Sequence, residues 1–181
     1  RANEQIYNNA TEHSKIVYIG ALAGILPAGP GHSHQSVRDI AALRGTPGLN
    51  LVEPGCGDEL AAILDWAINI SQESTYIRLV SIPWELDWVP EPDAQLQIGK
   101  GTVIAGGTDV TITAYGPILL SQALEARSML RDLHGISARV INLPWLDKVD
   151  SDWLGDAIAS DKPLVTLDNH YINGGQGMTI S

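Results

Sequence analysis

The sequence predicts an α/β protein made of two small three-layer domains, each with a largely parallel sheet. Short apolar runs rich in β-formers alternate with stretches of helical spacing, at 16–19, 49–52 and 76–80 and again at 110–115, 138–143 and 164–167. Strand, helix, strand in repetition is the pattern of a parallel sheet. The alternation breaks once, over 83–107, where Pro83, Pro90, Pro92, several acids and Gly106-Gly107 cluster around a single short strand at 102–105. The domains are therefore placed at 1–82 and 108–181, with 83–107 as a linker.

In chain order, residues 2–13 are polar with good helix formers and read as a helix exposed on most of its surface. The apolar run 16–19 is a buried strand. The segment 20–34 carries Gly20, Gly24, Pro27, Gly29, Pro30 and Gly31, too broken for either regular element. Ser36 can cap a helix through Leu43, stopped by Gly45 and Pro47. After the strand at 49–52, Leu60, Ile63, Leu64, Ala67 and Ile68 stand at helical spacing behind Asp58 and Glu59. These acids suit the positive end of the helix dipole; an acid/base dyad is the alternative. In the second half, Gly116-Pro117 starts a helix to Leu133, with Gly135 as its C-terminal cap. A shorter helix follows at 153–159, and the glycine-rich run 173–177 opens another.

Apolar residues form 44% of the 181, enough for a core and without a polar low-complexity tract. The 21 acidic against 11 basic residues give a net charge of −10, which disfavours a nucleic-acid partner and an anionic membrane surface. The apolar runs fall short of the ~20 residues that span a bilayer. The opening Arg1-Ala2-Asn3-Glu4 has no signal-peptide core. It also lacks an initiator Met, which points to a start further upstream. Cys56 is the single cysteine, so no intrachain disulfide forms, and a reducing cytoplasm is the expected location.

The segment Gly29-Pro30-Gly31-His32-Ser33-His34-Gln35-Ser36 places two imidazoles on a bent loop at the mouth of the first sheet, where open α/β sheets bind ligands. His34 is either a loop histidine bonded to nearby backbone or a neutral imidazole that donates to substrate. His-x-His lacks a third ligand at metal-site spacing. Gly-x-Ser-x-Gly, the serine hydrolase elbow, is half-matched around Ser33, but Gln35 replaces the second glycine and no strand precedes it directly. Arg78 is the one charge in its strand-like run, so it is either an edge residue facing water or an anion contact. The Gly174-Gly175-Gln176-Gly177 run is either a phosphate cradle or a packing turn. His170, just before it, is structural or part of the outer wall of the site. Trp84, Trp88 and Trp145 read as linker or interface anchors.

Taken in order, Arg1 to Ile6, Ile16 to Ile25, the histidine loop and Asp39 to Pro54 resemble the pyrimidine-binding domain of the transketolase family of thiamine diphosphate enzymes. That group includes deoxyxylulose phosphate synthases and pyruvate dehydrogenase beta subunits. Thr166-Leu167-Asp168-Asn169-His170 followed by Gly174-Gly175-x-Gly177 is similar to the acidic-His, Gly-Gly-x-Gly signature of the family's C-terminal domain. The resemblance covers almost the whole chain: 1–80 look like the later two-thirds of the pyrimidine domain, and 108–181 like most of the C-terminal domain.

The resemblance implies catalysis by His34 as substrate contact and proton relay, because His34-Gln35 falls on the family's Gly-Pro-Thr-His-Gln loop behind one extra residue. It implies a substrate mouth lined by His32, Gln35, Arg78 and His170, with Arg78 matching the first arginine of an Ile-Arg-Tyr-Pro-Arg-like strand end. Ser81 stands at the second arginine. Ala21-Leu22 and Ala28-Gly29 replace residues that read sugar hydroxyls. The implied reaction is transfer of a two-carbon ketol or acyl unit from a sugar phosphate or 2-keto acid. Thiamine diphosphate and Mg2+ belong to the intact enzyme, and this chain alone is expected to bind neither fully. No cofactor-binding or metal-ligating residue is assigned to it, because the activating glutamate and its aromatic neighbours would lie before Arg1. The expected protein is a fragment, inactive alone, in a homodimer or in a heteromer with a diphosphate-binding subunit. The alternatives are a catalytically dead partner or regulatory subunit, and a serine hydrolase using His32, Ser33 and His34.

Overall fold

The computed structural model describes residues 2–91, 96–158 and 161–181. Arg1, Pro92 and Ala159, used in the sequence reading, lie outside the described residues. Helix α1 (Ala2–Thr11) buries Ile6 and Ala10, one helical turn apart on one face. It leads to β1 (Val17–Gly20), α2 (Asp39–Leu43), β2 (Leu49–Val52), α3 (Gly57–Asp65) and β3 (Ser74–Arg78). The three strands form a wholly parallel sheet in the order β1-β3-β2, with Tyr76 between Tyr18 and Leu51. Every residue of β2 and β3 is buried, the polar Asn50, Ser74, Thr75 and Arg78 included.

Four local expectations need correction. Strand β1, expected to be buried, lies at the sheet edge with none of its residues buried and Ile19 55% exposed. Strand β3 begins two residues before the expected 76. Ser36 caps nothing: α2 starts at Asp39 behind Arg38, without a side-chain cap, and the Ser36 carbonyl accepts from the Gly24 N–H instead. Helix α3 continues as one π-helical turn, Trp66–Ile70. That wider turn rotates the apolar face, so Trp66 and Ala67 are buried while Ile68 is 58% exposed.

The second unit comprises β4 (Thr102–Ala105), β5 (Val110–Ala114), α4 (Gly116–His134), β6 (Ala138–Asn142), α5 (Ser151–Ala157), β7 (Leu164–Thr166) and α6 (Gln176–Ile180). Its sheet runs β4-β6-β5-β7, with β4 antiparallel to β6 and the other pairs parallel. The strand at 102–105, read as part of the linker, thus extends the second sheet. Helix α4 ends at Gly135 in the left-handed conformation (φ +67°), whose N–H reaches the Arg131 carbonyl. Asp150 caps α5 through the Trp153 N–H at 2.9 Å.

The protein therefore consists of two small α/β units with mostly parallel sheets, as the sequence predicts. A short backbone bridge joins them: Glu53 N–H donates to the Pro144 carbonyl and Leu146 N–H to the Leu51 carbonyl, both at 2.9 Å. Tyr115 and Leu146 of the second unit share one apolar cluster with Ile40, Leu49, Leu51 and Tyr76 of the first. Trp145, fully buried, meets Trp66 edge-on with ring centroids 5.2 Å apart. Among the described residues no helix is long and apolar enough to cross a membrane.

Candidate functional site

The carboxyl ends of four parallel strands point their polar residues into one place. Glu53 follows β2, Arg78 ends β3, Tyr115 follows β5, and Asp168-Asn169 lie just past β7. Arg78 is fully buried. Its Nε donates to Asp39 Oδ2 at 2.9 Å, its Nη1 to Glu53 Oε2 at 2.5 Å and to Asn169 Oδ1 at 2.6 Å, and its Nη2 to the Ser36 carbonyl. Tyr76 also donates to Asp39 at 2.9 Å, and Tyr115 to Asp168. Arg78 is not an edge residue facing water: it is fully buried, closes the seam between the two units and also lines the cleft beside it.

Charge is unevenly shared in this cluster. Burial pushes the Glu53 carboxyl up to about 7; Arg78 pulls it down, but the carboxylates of Asp39 and Asp168 push it up again. Burial alone would lower Arg78, yet Glu53 and Asp39 outweigh it and hold the guanidinium firmly charged. Burial is the larger cause, and the neighbouring acids add to it, so Glu53 takes up a proton more readily than an ordinary carboxyl. Burial likewise lifts the Tyr115 hydroxyl well above its ordinary range. The glycine requirement is concrete here: Gly116 (φ +66°) and Gly24 (φ +73°) lie so close to Glu53 and Asn169 that a Cβ at either would collide.

Above the seam, the loop between β1 and α2 carries His32 and His34, both exposed. His34 Nδ1 lies 2.9 Å from Ser33 Oγ. This Ser–His contact is between neighbours in an exposed turn, and the nearest helix begins at Asp39, so the strand–serine–helix context of a hydrolase elbow is missing. The Gln35 side chain is engaged within the loop, where its Nε2 donates to the Ile25 carbonyl at 2.5 Å and braces it. His170 is likewise used internally. Its Nε2 accepts the Ala41 N–H at 3.3 Å, which leaves the proton on Nδ1, bonded to the Tyr171 carbonyl at 2.8 Å.

The glycine run at 174–177 is the packing turn. Gly174 (φ +85°) abuts Ala41 and Gly175 abuts Asp168, while Gln176 Nε2 donates to the Leu143 and Trp145 carbonyls, each at 2.7 Å. The Gly177 N–H faces Asp168, not an open cradle. The Asp58/Glu59 pair also separates: Asp58 is exposed, while buried Glu59 accepts from Gly55 N–H at 2.6 Å and from Asn142 Nδ2 at 2.8 Å. Glu59 therefore ties α3 to the second unit. Beside the seam a cleft of about 740 Å³ opens between Pro54–Gly57, Arg78–Val80, Trp84–Asp87 and Pro117. Sequence reasoning missed this cleft and also missed Asp39, Glu53, Tyr115 and Asn169. Glu53, Tyr115 and Asn169 share one signal, a polar residue one to three positions beyond the end of a parallel strand; Asp39, the first residue of α2, does not carry it.

The architecture is that of a two-unit parallel-sheet protein with its polar groups gathered at the strand ends. Residues 1–81 match the family model for the transketolase pyrimidine binding domain and residues 99–181 that for the transketolase C-terminal domain. The chain belongs to the transketolase family. It is 28% identical over 183 residues to a subunit of the apulose-4-phosphate transketolase of Phocaeicola vulgatus, covering 99% of this chain and 57% of that protein. It is 31% identical over 178 residues to 1-deoxy-D-xylulose-5-phosphate synthase of Rhodopirellula baltica, covering 98% of this chain and 27% of that protein. A solved structure of a split-gene transketolase, an inactive beta4 tetramer, superposes with a TM-score of 0.75 at 31% identity, over 91% of this chain and 51% of the other. Transketolase from Leishmania mexicana shares the fold, with a TM-score of 0.70 at 21% identity over 91% of this chain and 24% of that one. The chain thus spans little more than half the length of the first of these relatives and about a quarter of the second.

Among the described residues, the groups present do not build a thiamine diphosphate site. The two buried glutamates are both engaged, Glu53 by Arg78 and Glu59 by Gly55 and Asn142. Neither is free to hold an aminopyrimidine. No group of three or more His, Cys, Asp or Glu is gathered for a divalent cation to bridge a diphosphate.

Proposed function

We propose that this chain is the substrate-loop and C-terminal portion of a cytoplasmic transketolase-type enzyme that moves a two-carbon ketol or acyl unit. The proposed donors are sugar phosphates or 2-keto acids. The thiamine diphosphate and magnesium of such an enzyme are held by other parts of the assembly, since the described residues do not supply their contacts. The observation that carries this reading is the exposed His34 on the loop above the carboxyl end of a parallel sheet, in a chain matched almost throughout by two transketolase domain models. His34, with His32 beside it, contacts the substrate and moves a proton at its imidazole. A heteromer with a complementary subunit is the favoured assembly. Support comes from two relatives, one of them a transketolase subunit and the other a split-gene transketolase whose beta4 tetramer is inactive.

The test uses the whole protein assembled with its complementary subunit. His34→Ala should lower kcat/KM by about 10²–10³, in the range of a lost general acid–base group. Unchanged turnover would move the site off this loop. A non-catalytic partner subunit is the second reading, favoured by the enclosure of Arg78 and by Ser81 at the second arginine position. It predicts turnover that needs this chain yet ignores His34→Ala.

A further inference from the structure

We propose that Arg78 is the positioning residue of the His34 loop, clamping the base of that loop to the C-terminal unit so that loop and seam are set together. This rests on the reading of His34 given above. The two limbs of the loop meet at a waist: Gly24 N–H donates to the Ser36 carbonyl at 2.9 Å and Ser36 N–H to the Leu22 carbonyl at 3.0 Å. Arg78 Nη2 donates to that same Ser36 carbonyl, while its Nη1 reaches Asn169 of the second unit at 2.6 Å. Asn169 also lies against Gly24, close enough that a Cβ there would collide. One guanidinium and one amide thus hold the waist together with the C-terminal unit.

The following segment extends the grip. Tyr171 N–H donates to the Val37 carbonyl at 3.0 Å, and His170 accepts from the Ala41 N–H. Beyond the waist, the hydrogen bonds of the loop tip are local: Gly31 N–H to Ala28, His34 and Gln35 N–H to Gly31, and the Gln35 side chain to Ile25. The tip therefore inherits its position from the waist. Ala23 N–H to the Leu79 carbonyl at 3.1 Å and Leu22 N–H to Ser81 Oγ at 2.8 Å tie the waist to the first unit, and Arg78 ties it to the second. A planar fork is needed for this. It presents several donors in fixed directions, which a lysine ammonium cannot reproduce.

The experiment is hydrogen exchange on the assembled enzyme carrying Arg78→Lys and, separately, Asn169→Ala, with turnover measured alongside. Arg78→Lys keeps a cation beside Glu53 and Asp39 but loses the span from Ser36 to Asn169. Amides of 24–36 should exchange roughly tenfold faster or more, as loss of a charge-assisted hydrogen bond implies. Amides of β5 and β6 should be unchanged. Turnover should fall by up to about 10²-fold through misplacement of His34. Asn169→Ala should act in the same direction more weakly, and it carries the test if the lysine variant fails to assemble. Loop amides that exchange as in the wild type, or that loosen only in step with β5 and β6, overturn the clamp. A loosened loop with intact turnover keeps the clamp and overturns the role of His34, so the two failures are distinguishable.

Discussion

The tip of the histidine loop and the seam beneath it use polar side chains at strand ends in opposite ways. At the tip, His32 and His34 face solvent, and His34 bonds only to its neighbour Ser33. At the seam, Arg78 is sealed from water and bonded to two carboxylates, an amide and a carbonyl. Both regions obey the rule that α/β sheets concentrate polar groups beyond their carboxyl ends. They differ in what faces them. The strand ends of the second unit face Arg78, whereas none of the described residues packs over His34. A charge at the end of a strand can thus be taken up by a second sheet that presents its own strand ends to it.

Arg78→Met should break the seam with the largest effect. It removes the cation from a fully buried cluster and leaves Asp39 and Glu53 without their partner, which costs about 3–5 kcal/mol of stability. Urea unfolding of the whole protein measures it. A loss below about 1 kcal/mol would place the pair in the class of exposed ion pairs and dissolve the contrast with the tip.

Glu53→Gln sharpens the same contrast through pH. In the folded protein the Glu53 carboxyl titrates at about 7, raised by burial from an ordinary 4.5. Between those values the folded state keeps a proton that the unfolded chain has lost, so this group's contribution is fully present below 4.5, declines as pH rises, and is lost above 7. Glutamine carries no such proton. Relative to wild type, the variant should therefore gain stability from pH 4 to pH 8, by about 3 kcal/mol at most. Asp147, pushed up to about 6 by burial, titrates in both proteins and cancels in the difference. A difference that stays constant with pH would show that Arg78 alone neutralises Glu53.

Gly24→Ala acts at the junction of the two regions. Its φ of +73° and its closeness to Asn169 together disfavour a side chain, so the loss should be about 1–3 kcal/mol. The same substitution at Gly29, which has open space around it, should be nearly silent by the same unfolding measurement.

The fold was legible where period and punctuation agree. Val110 to Tyr115, Gly116-Pro117 and Gly135 marked a strand, a helix start and a helix stop that the structure realises within a residue. The position of the first strand and the α3 start were legible on the same grounds, but the exposure of β1 at the sheet edge was not. The pairing partner of β4 was not, because strand pairing depends on contacts remote in sequence and β4 meets β6 some forty residues on. Likewise, Ser36 has the chemistry of a cap, but a tertiary bond already claims its carbonyl. At the site, the exposure of His34 followed from its Gly/Pro setting. The fates of Gln35, Arg78 and His170 did not, since each is decided by a partner 10 to 129 positions away, at Ile25, Asn169 and Ala41. The seam was hidden because its members, Asp39, Glu53, Arg78, Tyr115 and Asn169, come from five separate elements.

The smallest expected change in stability belongs to His34→Ala. Its ring is exposed, its side-chain partner is the adjacent Ser33, and the waist bonds at Gly24 and Ser36 do not involve it. Unfolding free energy should stay within about 0.5 kcal/mol of wild type, as for other surface positions outside special contacts. In the assembled enzyme the same substitution should remove most turnover. Glu53→Gln differs from it in kind, since its effect on stability should change with pH between 4 and 8 while that of His34→Ala should not follow the Glu53 titration. Measured together, the two variants separate the region that works from the region that holds it in place. If His34→Ala instead unfolded the protein, the tip would belong to the structural seam, and the division between the two regions would fail at its clearest point.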